Sequence, residues 1–288
     1  MLRPTVRLFQ RSPYMLSNGL RFASSSDGQR TANAGINVTT DDKVFKIQLE
    51  RPEKFNAITW EMYETYIQAM DTASKDRQTS VTVVTGSGGY YCSGNDLSNF
   101  TRIKTPSDMI QLAEHGEKVL ERFVRAHITH EKPLIALVNG PAIGISVTVL
   151  ALFDLVIASN KATFHTPFTT LGQSPEGCSS FTFPALMGPS KASEMLLFGK
   201  KLTAEEAFDR NLVSQVIPHE QFQQESENKI RQLSQLPPES LRLNKQIVRE
   251  AHKERLLNTN IAECKLLKSR WLSAECQKAL QDFMTRKK

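Results

Sequence analysis

Apolar residues fall into two rhythms along this chain, and the switch between them divides it. Val44–Leu49 (VFKIQL) alternates apolar and polar side chains, which predicts a strand buried on one face. Residues 81–85 (VTVVT), Leu134–Val138 (LIALV) and Leu155–Ser159 (LVIAS) are short, mostly apolar runs, as expected of strands covered on both faces. Helical patterns lie between them. Thr59 is placed to cap a helix reaching residue 73, and residues 110–129 repeat apolar positions at helical spacing. Residues 142–152, small and apolar, read as another helix directly after the Asn139-Gly140-Pro141 break. Strands alternating with helices predict an α/β fold with largely parallel pairing, its folded part beginning near Ile36. Beyond Gly188 the strand rhythm stops. Residues 189–199, 203–211, 219–236 and 238–283 all carry helical periodicity, and Thr203 with Glu206 resembles a capping box. The expected division is an α/β core over 36–188 and a helical region over 189–288.

Two of the strands deliver glycine-containing turns. The run 81–85 leads into GSGGYYCSGNDL, with glycines at 86, 88, 89 and 94, and Leu134–Val138 leads through Gly140 to Gly144. The first N–H groups after such turns have no partner within a helix and are aimed at whatever lies beyond. Two of them on one substrate oxygen would form an oxyanion hole. Glycine-rich turns after strands also occur in α/β proteins without catalysis, so the spacing alone leaves both readings open.

Composition narrows the classes. With 288 residues, 40% of them hydrophobic, the chain suits one globular domain, with or without an appendage. No run approaches the roughly 18 uncharged apolar residues of a membrane span, so no membrane insertion is expected. A net charge of +6, much of it near the termini, does not describe a nucleic-acid surface. Cys92, Cys178, Cys264 and Cys276 show neither CxxC spacing nor a disulfide framework, which predicts a reducing compartment. Residues 1–30 differ from the rest. Arg3, Arg7 and Arg11 share one helical face, Arg21 and Ser24-Ser25-Ser26 follow, and no acid precedes Asp27. That is the composition of a mitochondrial transit peptide, with a plain basic tail as the alternative. The chain ends Arg286-Lys287-Lys288 rather than in a Ser-Lys-Leu type address, so the mitochondrial matrix is expected over the peroxisome.

Three stretches together carry a family likeness: Arg51-Pro52-x-x-x-Asn56-Ala57, Tyr91-Cys-Ser-Gly-Asn-Asp-Leu97 and Val138-Asn-Gly-Pro-Ala-Ile-Gly-Ile145. In this order and spacing they resemble the crotonase superfamily of enoyl-CoA hydratases and isomerases, from about Val38 to the C-terminus. The segment FHTPFTTLGQSPEGCSSFTFPALMG, residues 164–188, is similar to the isomerase-2 type of Δ3,Δ2-enoyl-CoA isomerases, without the N-terminal acyl-CoA-binding domain that such proteins often carry. The resemblance implies a crotonase-like spiral core of ββα units with a C-terminal helical trimerisation region, and a homotrimer or dimer of trimers. It implies an acyl-CoA substrate and no separate cofactor, coenzyme A being part of the substrate. By position, the oxyanion donors would be the backbone N–H groups of Asn95 and Ile145. Ser93, Gly94, Asn95, Asp96, Leu97, Gly144 and Phe168 would contact substrate, and Lys54 and Ala57 the CoA portion, with Arg51 and the basic C-terminal helices as further candidates for its phosphates.

The same likeness places the acid–base groups. Hydratases of the superfamily hold two glutamates around the double bond; here those positions are Thr148 and Phe168, neither of which can take a proton. Glu176, in Ser174-Pro175-Glu176-Gly177, stands where the isomerases keep their catalytic glutamate. Moving a double bond from C3 to C2 needs a base that takes a proton at C2 and returns it at C4, and one carboxylate suffices. The expected function is therefore a 3-enoyl-CoA isomerase of unsaturated fatty-acid β-oxidation. The alternatives are an enoyl-CoA hydratase, or a non-catalytic acyl-CoA-binding or interaction protein of the same fold. No metal is expected, since His127, His130, His165, His219 and His252 lack a spacing such as HExxH. Gly144-Ile-Ser-Val-Thr148 begins like a nucleophile elbow but lacks its final glycine. Asp154 reads as a hydrogen-bonded structural residue, and Phe164, Phe168, Phe181 and Phe183 as core or acyl-pocket walls.

Overall fold

A computed structural model of the chain describes residues 31–100 and 105–286; the expected targeting segment, 1–30, lies outside the described residues. In chain order the elements begin β1 (Thr31–Asn33), β2 (Ile36–Asp41), β3 (Val44–Leu49), α1 (Trp60–Lys75), β4 (Val81–Gly86) and α2 (Pro106–Thr129). Then come β5 (Leu134–Val138), β6 (Ala142–Ile143), α3 (Ile145–Thr148), β7 (Leu155–Ser159) and β8 (Thr163–His165). The last part holds α4 (Ser179–Met187), α5 (Pro189–Leu196), β9 (Leu202–Thr203), α6 (Ala204–Asp209), β10 (Gln215–Ile217), α7 (His219–Ser234), α8 (Pro238–Trp271) and α9 (Ala274–Arg286).

The main sheet has the order β1-β2-β3-β4-β5-β7-β10, and β6-β8-β9 form a smaller one. The β1–β2 and β2–β3 pairs are antiparallel; from β3 through β4, β5 and β7 to β10 every pair is parallel. The apolar patterns explain this. Every residue of β4 and β5 is buried, while β3 alternates. Val83, Ile135, Leu137 and Ile157 pack toward Phe222 and Ile230 of α7. Val84, Ala136, Val138 and Val156 join the larger core with α1, α2 and α8. Thr59 caps α1 by accepting the Met62 N–H, and Thr203 and Glu206 close the expected capping box.

Four expectations need correction. The helix foreseen over 142–152 starts late: Ala142 and Ile143 pair with β8, and Gly144 at φ 64°, ψ −128° cannot be helical, so only Ile145 onward coils. The region after Gly188 is not all helix, because β9 joins the small sheet and β10 extends the main sheet beside β7. The run 238–283 is two helices. Ser273 ends the first by donating to the Arg270 carbonyl, and its hydroxyl accepts the Cys276 N–H in the first turn of the second. The folded part also starts earlier than Ile36, since β1 pairs with β2.

Candidate active site

The first glycine turn is pinned by a residue 31 positions before Ser87 in the sequence. Asn56 is fully buried in the left-handed region at φ 56°, and its amide donates to the carbonyls of Ser87 (2.9 Å) and Tyr90 (2.8 Å). Its Oδ1 accepts the Arg51 N–H at 2.9 Å. The chain then runs beside Ile58, whose N–H donates to the Gly94 carbonyl and whose carbonyl accepts the Asp96 N–H. In such a parallel bridge the residue between the two bonded neighbours turns its own N–H away. That residue is Asn95. Its side chain is occupied, Oδ1 accepting from Asn99 Nδ2 at 2.6 Å, so only its backbone faces outward.

The second turn is bolted to the first. The Cys92 carbonyl accepts the Ile143 N–H at 2.9 Å and the Ser146 hydroxyl at 3.0 Å. Gly94 lies so close to the Ile143 carbonyl that a Cβ there would sit 2.7 Å from its oxygen; with φ 86°, only glycine fits. The Gly144 N–H donates to the His165 carbonyl at 2.8 Å, and Ile145 opens α3 with no helical acceptor behind it. Among the described residues neither the Asn95 nor the Ile145 N–H donates to a protein acceptor. Two free donors therefore flank the Gly94–Ile143 contact. Ser146, the start of the apparent elbow, is a strut between the turns and not a nucleophile.

Glu176 reaches the same place from the other side. The Cβ position of Gly177 is 2.5 Å from Thr148 Oγ1, one helical turn beyond Ile145, so the Glu176 turn lies directly on α3. Some of the residue is open, but the carboxyl sits deep in protein and has no hydrogen-bond or ion-pair partner among the described residues. Loss of water, and then the Glu263 carboxylate, push its pKa up to about 8. Tyr63 of α1 is buried within electrostatic reach of both Glu176 and Cys92 of the first turn; burial first, then these neighbours, raise its pKa. An unpaired carboxyl with raised proton affinity, on a turn packed against the helix that Ile145 opens, is a group able to carry a proton.

The other expected residues divide into lining and scaffold. Thr148 is fully buried, its hydroxyl donating to the Ile145 carbonyl, and Phe168 is packed in the core at 2% exposure. Ser93 donates its N–H to the Phe55 carbonyl, and Leu97 opens a short 3₁₀ turn, half-buried. Asp96 is a structural anion: burial opposes its charge, but the Ser98 N–H and the Arg51 guanidinium at 2.8 Å outweigh that and hold it below the usual carboxylate range. The Arg51 Nη1 that meets Asp96 also donates to the Ala57 carbonyl. Lys54 is exposed and Ala57 half-buried at the cleft edge. Asp154 is structural as expected, accepting the Leu134 N–H and pairing with Lys245 and Arg249. Phe164 and Phe183 are core, and Phe181 lies under the Arg255 guanidinium at 4.0 Å.

Sequence reasoning missed Tyr63, Ser146 and Glu263, and gave Asn56 no role. The signal for Glu263 was present: Leu256, Asn260, Glu263, Cys264, Leu267 and Trp271 form one buried helical face, and two of them are polar.

Residues 39–288 match the family described as enoyl-CoA hydratase/isomerase. Over 262 residues the chain is 51% identical to enoyl-CoA delta isomerase 2 of Rattus norvegicus, covering 91% of this chain and 66% of that protein, or just under two thirds of its length. It is 45% identical over 262 residues to "enoyl-CoA delta isomerase 3, peroxisomal" of Mus musculus, covering 91% of this chain and 82% of that one. Among solved structures, the enoyl-CoA hydratase/isomerase of Pseudoalteromonas atlantica T6c aligns with a TM-score of 0.79 at 30% identity, over 88% of this chain and 97% of that chain.

Proposed function

This chain belongs to the enoyl-CoA hydratase/isomerase family, and from that premise we propose that it is an enoyl-CoA isomerase, moving the double bond of a 3-enoyl-CoA to the trans-2 position in the β-oxidation of unsaturated fatty acids. The observation that carries this is the lone carboxyl. Glu176 carries an unpaired carboxyl on a turn packed against α3, while the positions of the hydratase glutamates hold Thr148 and Phe168, both buried and neither a carboxylic acid. The delta isomerases that the chain resembles at 51% and 45% identity support the same activity.

In this reading Glu176, ionised, removes a proton from C2. The electron pair moves into the thioester carbonyl, and the dienolate oxygen accepts the N–H groups of Asn95 and Ile145. Each such donor is worth about 10²–10³-fold in rate. The Glu176 acid then delivers the same proton to C4, and the double bond stands between C2 and C3. Nothing is gained or lost, and no separate cofactor takes part. Water held off Glu176 by burial makes it a stronger base than a surface carboxylate. Gly94, Gly144 and the 93–97 segment line the reacting end, and Lys54 and Ala57 meet the CoA portion at the rim.

Two further points rest on separate support. The Arg-rich, acid-free start of residues 1–30 favours the mitochondrial matrix, with the peroxisome of the mouse relative as the alternative. A reporter carrying this segment should enter mitochondria; a diffuse or peroxisomal signal would refute it. Ile247 and Val248 on α8 are 75% and 74% exposed, apolar surface suited to burial against neighbouring subunits of a trimer. A monomer mass by light scattering at micromolar concentration would rule that out.

The decisive experiment is Glu176→Gln, which keeps the shape and removes the base. Turnover of 3-enoyl-CoA should fall about 10²–10⁴-fold while acyl-CoA binding persists. Near-normal isomerase activity in that variant, or strong hydration of 2-enoyl-CoA by the wild type, would overturn the assignment.

A further inference from the structure

We propose that Glu263, on α8, is a positioning residue for Glu176: its carboxylate grips the two N–H groups behind Glu176 and fixes the turn that aims it. This rests on the reading of Glu176 as the proton carrier.

The turn needs holding. Gly177 and Cys178 both lie in the left-handed region, at φ 68° and 64°, and cysteine has no local hydrogen bond that would favour it there. Cys178 is also the N-cap of α4 and offers no side-chain oxygen to the first N–H groups of that helix. Glu263 supplies both oxygens. Its Oε2 accepts the Cys178 N–H at 2.6 Å and its Oε1 the Ser180 N–H at 2.9 Å. A residue 85 positions away in sequence thus does what a serine or aspartate at position 178 would do locally.

Capping alone does not account for a carboxylate here. Glu263 is 6% exposed, and no lysine, arginine or histidine pairs with it among the described residues. Burying an acid without a cation is unfavourable, the more so beside a second acid. What the arrangement adds over a local cap is negative charge next to Glu176 and a rigid link from that turn to α8.

The titratable groups that face this pair come from several elements. They are Tyr63 of α1, Cys178 of the turn itself and Cys264 of α8, with Glu121 of α2 beyond Cys264 and Arg249 of α8 beyond Cys178. Burial raises the phenol and both thiols above their ordinary ranges, so these stay uncharged near neutrality. Glu263 itself is raised by burial, with Ser180 and the Cys178 N–H pulling it back. Two carboxyls so placed titrate as a coupled pair, ionisation of one disfavouring that of the other.

The test reads both protonation and turnover. The carboxyl infrared band that disappears in Glu176→Gln reports the ionisation of Glu176. In Glu263→Gln that band should titrate about one pH unit lower, because the like charge is gone. The kcat for 3-enoyl-CoA should fall about tenfold or more, with KM changed less than about threefold, since aim and not binding is lost. A folded Glu263→Gln protein with unchanged titration and unchanged kcat overturns the proposal. If that variant does not fold, Glu263→Asp takes its place: charge is kept, but a chain one methylene shorter cannot span both N–H groups. Lower kcat with wild-type titration supports the proposal, and wild-type kcat overturns it. The infrared titration needs no turnover, so a wild type inert toward every 3-enoyl-CoA would sink the isomerase reading while leaving Glu263 to be judged separately.

Discussion

The two walls of the cleft are built on opposite principles. The oxyanion wall is main chain, held by main chain and by amide and hydroxyl side chains whose bonding capacity is filled. Asn56 satisfies Ser87, Tyr90 and Arg51, and Ser146 satisfies Cys92 and Ile143. Among the described residues, the Asn95 and Ile145 N–H groups are left without a protein acceptor. The Glu176 wall is side chain, and it is deliberately unfavourable: one unpaired carboxyl, a second behind it, and two left-handed residues between. The difference teaches where the fold gains stability and where it gives some up for chemistry. Perturbing one wall should lower activity and stability together; perturbing the other should move them in opposite directions.

The largest effect should come from removing a donor. Ile145→Pro deletes one N–H at the first position of α3, a place where proline suits the helix. The kcat of folded protein should fall at least about 10²-fold, whereas Ile145→Ala, which keeps the N–H, should lose far less per folded molecule. Steady-state kinetics normalised to folded protein decides it, and equal losses in the two variants would deny the donor its role.

A smaller effect tests the scaffold of the same wall. Asn56→Ala leaves two carbonyls and one N–H without their partner and puts alanine at φ 56°. Chemical denaturation should show a loss of about 2–4 kcal/mol, and activity should decline with it. Retained stability with lost activity would break the comparison, because it would make this wall resemble the other.

The smallest expected effect has the opposite sign. The Glu176 carboxyl is raised in the fold from 4.5 to about 8, so the fold holds its proton more tightly than the unfolded chain does. Its ionisation therefore destabilises the protein progressively from about pH 4.5 upward, levelling off above about pH 8, and is without effect below. Glu176→Gln, nearly inactive, should melt a few degrees higher than wild type at pH 8 and at the same temperature near pH 4. Calorimetry at the two pH values checks this; a variant less stable at both would mean the carboxylate is paired in solution.

The same contrast governs what could be read in the sequence. Strands β3, β4, β5 and β7 were legible because burial on one or both faces writes itself directly into apolar spacing. The oxyanion turns were legible because close approach at Gly94 and a non-helical angle at Gly144 exclude other residues. β6, β9 and β10 were not, being two or three residues long and defined by partners already in place. Glu176 was found through its motif, but its environment was not. Tyr63 and Glu263 act on it from α1 and α8; the buried face of α8 marks Glu263 as unusual, but local spacing does not say which turn it faces.

The contact between Gly177 and Thr148 bears on how this scaffold can change its trade. A hydratase glutamate in place of Thr148 would need room that the Glu176 turn already fills, since even a methyl group on Gly177 would collide with the threonine hydroxyl. Conversion to water addition is therefore not a walk of independent single exchanges. The turn would have to be rebuilt before a carboxylate at 148 had anywhere to stand, and the rebuilding would first discard the existing base. Intermediates along that path would carry neither activity, which leaves the two chemistries as separate basins of one fold with an inactive ridge between them.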